Sequence, residues 1–164
     1  AGASWVGCPP AAACVARVTL KGVAEVLDRR LALGVLAGRQ GAVAVAAGRA
    51  GDRLHEVMAE ARRATEAEDA LGIQRANTAF HAEVIAMSGN RLLAATMAPL
   101  LGRIRWLFAL TADRDPRIEY AEHVTLCDAI YSGNPDLAGA LALASNEHGR
   151  APSLVGLAGV LPPV

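Results

Sequence analysis

Aromatic residues are scarce: two Trp, two Tyr and two Phe make up 4% of the 164 residues. A core cannot be built around large rings here and has to come from Ala, Leu and Val, within a hydrophobic share of 53%. Ala and Leu are strong helix formers and β-branched residues do not dominate, so the composition favours close-packed helices over a sheet. Net charge is absent too, because 16 Lys and Arg balance 16 Asp and Glu. That excludes the strongly basic surface with which a protein grips nucleic-acid phosphates by itself. Cysteines are few and odd in number. Cys8, Cys14 and Cys127 follow no metal-ligand spacing, which argues against a disulfide framework and reads as reduced thiols in a cytoplasmic protein. No uncharged apolar run approaches the ~20 residues of a membrane-spanning helix, and the start lacks the basic and apolar regions of a signal peptide. The length suits one compact, soluble domain with a sizeable core.

What is present is helical periodicity. From Thr19 onward, Val23, Val26, Leu27, Leu31, Leu33 and Leu36 form an apolar stripe, with Lys21, Glu25, Asp28 and Arg29 mostly off it. Gly34, Gly38, Gly41 and Gly48 each lower helix propensity by about 1 kcal/mol relative to Ala, which predicts a kinked or weak helix near residues 38–42. Asp52 is placed to cap a second helix through about Glu68, and a third runs from about Asp69 to Met87. Asn90 is placed to cap a fourth, which Pro99 should bend. Asp115-Pro116 and Asn134-Pro135 each pair a capping residue with proline at the first helical position, and they start helices ending near Ser132 and His148. Residues 151–164 read as an irregular apolar tail, punctuated by Pro152, Pro162 and Pro163. Residues 1–17 lack a helical period, and Pro9-Pro10 blocks a helix there. The expected fold is all-α, an antiparallel bundle of six or seven helices.

The chemistry-bearing residues cluster in this pattern. Asn77 and His81 stand four apart inside a run whose apolar positions are Ala76, Phe80, Val84 and Met87, so both side chains lie on one helix face. Glu122-His123 and Glu147-His148 put two more imidazoles on later helices. One amide oxygen and three imidazoles inside a bundle could hold Zn, Ni, Cu or Fe. Arg30 and Arg105 are basic side chains on mainly apolar helices, and the plain reading of both is a surface arginine lying over apolar stems. His55 reads as a solvated surface residue, and Trp106 and Phe108 as core or dimer-contact aromatics.

Taken together, Asn77-x-x-Phe80-His81, then Ser88-Gly89-Asn90-x-Leu92-Leu93, then Glu122-His123 with Ala129-Ile130, and a late histidine resemble the FCD domain. That is the C-terminal, effector-binding domain of FadR-type GntR transcription regulators, and the resemblance spans about residues 18–150. It implies a divalent metal, Zn or Ni, held by Asn77, His81, His123 and His148, and a small organic acid bound over it with Arg30 and Arg105 nearby. His148 lies about one helical turn beyond the family's last histidine, where gap-free alignment sets Ser145. Asn77 offers a neutral amide where a carboxylate would bind a cation better. In the family's first helix an arginine is followed four residues later by a glutamate; Arg30 matches the first, and Gly34 replaces the second. Residues 2–6 followed by the prolines look like the last strand of a winged helix-turn-helix wing, which makes residues 1–17 a linker or wing remnant and leaves the DNA-reading helices outside this chain. The implied protein is a homodimeric, non-enzymatic sensor with no membrane contact, and DNA is reached only through the absent winged domain. Two rivals stand beside it. One is a helical-bundle metalloenzyme with Glu122 or Glu147 near an open metal position; the other is a degenerate domain that keeps the fold without a working site.

Overall fold

A computed structural model describes residues 18–49, 51–110 and 115–163, and of residues 108–110 only the backbone. Six helices follow one another, and no strand occurs among the described residues. They are α1 (Leu20–Ala46), α2 (Arg53–Glu66), α3 (Ala70–Met87), α4 (Arg91–Leu110), α5 (Pro116–Tyr131) and α6 (Pro135–Ala158). Residues 1–17, with the expected wing remnant, Cys8 and Cys14, lie outside the described residues.

The helix starts follow from local chemistry. Backbone N–H groups in the first turn have no partner within their own helix, and a capping side chain supplies one. Thr19 Oγ1 accepts from Gly22 N–H at 3.1 Å, and Asn90 Oδ1 from Leu93 N–H at 3.0 Å. Asp115 Oδ1 accepts from Arg117 N–H at 2.8 Å, and Asn134 Oδ1 from Asp136 and Leu137 N–H. Asp52 precedes α2 as expected but makes no such bond. Gly89 and Gly133 turn the chain after α3 and α5 with φ of +65° and +70°, the left-handed region that side-chain-bearing residues avoid.

Helix α1 runs through the middle of the bundle and packs against α3, α4, α5 and, along most of its length, α6. It is one unbroken helix of 27 residues, so the glycines near residues 38–42 do not interrupt it. The glycines serve contact instead. A Cβ on Gly38 would lie 3.3 Å from the Ala138 carbonyl oxygen, and one on Gly34 would lie 3.1 Å from Asn146 Nδ2. The helix tolerates its weak formers because burial of the close α1–α6 interface outweighs intrinsic propensity. The expected irregular tail is corrected. Helix α6 continues past Pro152 to Ala158 because Ser153 and Leu157 are buried against the core. After it, the Pro162 carbonyl accepts from Leu20 N–H at 2.8 Å, so the tail closes the start of α1. The deepest core side chains include Phe80, Leu54, Ile130 and Leu157. Phe80 holds the centre among aliphatic neighbours, immediately before His81.

Candidate functional site

Helix α3 carries Asn77 and His81 one turn apart on its inner side, α5 contributes His123, and α1 contributes Arg30. Arg30 is 6% exposed and His123 3%. The His81 and His123 rings meet edge to face with centroids 5.1 Å apart. Phe80 stacks on His123 at 4.0 Å and so fixes the plane of that imidazole. Arg30 Nη2 lies 2.6 Å from His81 Nε2. A guanidinium has donors and no acceptor, so Nε2 is the acceptor and the proton of a neutral His81 sits on Nδ1.

Two amides border this cluster. Asn77 Nδ2 donates to Glu119 Oε1 at 2.6 Å, and Asn146 Nδ2 donates to the Ala142 carbonyl at 2.7 Å. Each bond fixes which end of the amide is nitrogen, because turning the group would set two acceptors against each other. The two Oδ1 atoms are therefore true acceptors, both are buried, and neither receives a hydrogen bond from a described residue. A buried acceptor without a donor costs about 1–3 kcal/mol, so the centre of the bundle holds two polar atoms that the fold alone does not satisfy.

Space around the cluster is divided into small hollows. One of about 10 Å³ lies beside Asn77, Glu119 and His123, and one of about 20 Å³ beside Asn77, His81 and Ile104. A third, also about 20 Å³, lies between Arg30, Gly34, His81 and Asn146. Each is near the size of a single water, for which roughly 10–15 Å³ suffices. An organic acid of three or more carbons enters only if helices move apart.

Of the residues expected at the site, Asn77, His81, His123 and Arg30 are brought together, Arg105 lies at their border, and His148 does not join them. His148 projects to the surface with its side chain 66% exposed, where Nδ1 lies 2.8 Å from Glu122 Oε1. Ser145, three residues earlier, is the buried one. A step of three residues turns the helix by ~60° short of a full turn, and on α6 that separates the inner from the outer side. His148 is thus corrected from ligand to surface hydrogen-bond partner of Glu122. Arg105 borders the hollow beside His81, but the residue is exposed, and its backbone carbonyl accepts from Gln74 Nε2 at 3.4 Å. His55 is exposed as expected and stacks on Tyr131 at 4.0 Å. Trp106 is 48% exposed and so is not a core residue, and the Phe108 side chain lies outside the described residues. Sequence reasoning missed Asn146 and Glu119. Asn146 had a signal, since it falls among Ala138, Ala142 and Gly149, a stripe of small residues spaced for a helix contact, where an amide is out of place.

The donor set does not fit a tight divalent-metal site. Among the described residues, no group of three or more His, Cys, Asp and Glu could hold an ion. Asn77 adds a neutral oxygen, and α6 turns a serine rather than an imidazole inward. The ligand nitrogen of His81 already accepts from a cation. A divalent ion on that nitrogen would stand within ~5 Å of the guanidinium, a repulsion on the order of several kcal/mol at the effective dielectric of a protein interior.

Known proteins give the arrangement a context. The family described as FCD domain matches residues 25–148. Among solved structures, the metal-free FCD domain of TM0439, a proposed transcriptional regulator, superposes with a TM-score of 0.74 at 19% sequence identity. That match covers 87% of this chain and 98% of the other. At that identity it speaks for the fold. No curated protein matches the sequence.

Proposed function

Given that this chain belongs to the FCD family, matched over residues 25–148, we propose that it is the effector-sensing and dimerisation domain of a FadR-type GntR transcription regulator, binding a small carboxylate inside the bundle. The observation that carries this reading is the buried guanidinium of Arg30 beside two buried amide oxygens that receive no hydrogen bond from a described residue. A carboxylate matches the first, through the bidentate pairing that arginine favours. Hydroxyl or amino groups on the same small molecule match the second. The hollows are too small for such a ligand until helices separate, so binding and helix displacement are one event, as a sensor requires. Displacement would then change how attached DNA-binding domains are spaced, and with it operator affinity. The function is binding and switching without catalysis. The histidines suggest a divalent metal, Zn or Ni, as the anchor for the carboxylate, but the donor set does not fit one, which leaves Arg30 in that role.

The test is a panel of small carboxylates with and without hydroxyl groups, screened by thermal shift and followed by calorimetry. A saturable binder that raises Tm, is recovered unchanged, and binds at least tenfold more weakly to Arg30→Met supports the sensor. Metal-dependent turnover of a panel member would favour the bundle metalloenzyme. Failure of the whole panel to bind would favour a domain that keeps the fold without a working site.

A further inference from the structure

We propose that in this chain the Arg30 guanidinium occupies the place of a metal ion, so that the histidine cluster is a metal-independent, arginine-centred anion site. Three observations meet here. The nitrogen of His81 that would ligate a metal receives a hydrogen bond from Arg30 at 2.6 Å, and a guanidinium cannot give up its charge to make way. The position one turn after Arg30 is Gly34, and α1 approaches α6 so closely there that a Cβ would lie 3.1 Å from Asn146 Nδ2. No side chain at that position can pair with Arg30 on its own helix, and the guanidinium reaches across to α3. On α6 the inward positions hold Ser145 and Asn146, while His148 is turned out to Glu122. The three features act together. Arg30 supplies a fixed positive charge, His81 Nε2 positions it, and the Asn77 and Asn146 oxygens offer acceptors, the first of which a metal shell would otherwise have consumed.

The ligand class follows from those parts. An anion that meets Arg30 directly and also carries a hydrogen-bond donor satisfies the guanidinium and an amide oxygen at once. This last step rests on the effector-sensing reading; the metal independence does not.

Zinc and nickel titrations of chelator-stripped protein, read by competition with a chromophoric chelator, test the proposal. Wild type, His81→Ala, Arg30→Met and the double variant Arg30→Met with His81→Ala are compared. Wild type should show no stoichiometric His81-dependent site. Arg30→Met should bind zinc at least tenfold more tightly, and the double variant should lose that gain, which separates the cluster from adventitious binding at His55 or His148. One equivalent bound tightly by wild type and lost in His81→Ala would overturn the proposal, as would an Arg30→Met variant that gains nothing. Should Arg30→Met not fold, the imidazole nitrogen-15 shifts of wild-type His81 decide. A hydrogen-bond-accepting Nε2 unchanged by one equivalent of zinc upholds the proposal, and a zinc-induced change of that nitrogen refutes it. A carboxylate screen that fails in every metal state would sink the effector reading and leave the zinc result standing.

Discussion

At the scale of single residues, burial decides reactivity as much as residue type does. Cys127 is a free thiol, 4% exposed, on the inner side of α5. Burial, aided by the negative charge of Asp128, pushes its pKa up to about 11 from 9.0. The thiolate is thus disfavoured in the fold, and between those two values the unfolded chain gives up a proton that the folded chain keeps. Stability is fully present below pH 9 and is lost as pH rises toward 11, by up to about 2 kcal/mol from this group. Chemical denaturation at pH 8 and pH 10.5 should show that decline in wild type and a smaller one in Cys127→Ala. The same reasoning explains why Asn77 and Asn146 matter more than their type suggests. An exposed asparagine is ordinary, whereas a buried one with a fixed, unsatisfied oxygen asks for a ligand.

At the scale of elements, α1 and α6 form the packing unit on which the site depends. Gly34, Gly38 and Gly41 face Asn146, Ala138 with Ala142, and Ile130, in each case at or inside van der Waals distance of an added methyl group. Gly38 is the clearest test, because its nearest neighbour is a backbone carbonyl that cannot rotate away. Helix propensity alone would make Gly38→Ala stabilising by about 1 kcal/mol. Overpacking should reverse the sign and give a net loss of roughly 1–2 kcal/mol, visible as a lower urea midpoint at unchanged slope. A gain in stability would mean that α1 and α6 stand further apart than described. The continuation of α6 past Pro152 has the same logic: Leu157 is fully buried, and its burial is worth about 2 kcal/mol, which offsets much of the proline's cost.

At the scale of the whole molecule, the surface bears on the proposed dimer. The Asn90 amide donates to Gln40 at 3.2 Å, bringing the start of α4 beside the stretch of α1 that carries Leu36 and Val43. Leu36, Val43 and Leu92 are 38%, 50% and 77% exposed. Exposed apolar side chains on neighbouring helices, if they adjoin in one patch, form the kind of surface that marks a contact. Sedimentation velocity should give a dimer for wild type and a monomer of unchanged helicity for Leu92→Glu. A wild-type monomer at micromolar concentration would remove dimerisation from the proposed function.

The sequence by itself determined the fold class, the six helices and most of their ends, because those depend on periodicity and capping, which act between residues a few positions apart. It also singled out Asn77, His81 and His123, since spacing on one helix and polar residues on apolar faces are local signals, while Arg30 was marked by the resemblance to the FCD domain. Only the tertiary structure decided how α1 accommodates its glycines, since the alternative to a kink was a partner helix more than a hundred residues away. It alone turned His148 outward and Asn146 inward, because the rotation of α6 about its axis, set by packing against α1 and α5, chooses which side of it is buried. And it alone brought Arg30 onto His81, a contact across 51 positions of chain, in which two charge and hydrogen-bonding preferences that no local pattern links are resolved together.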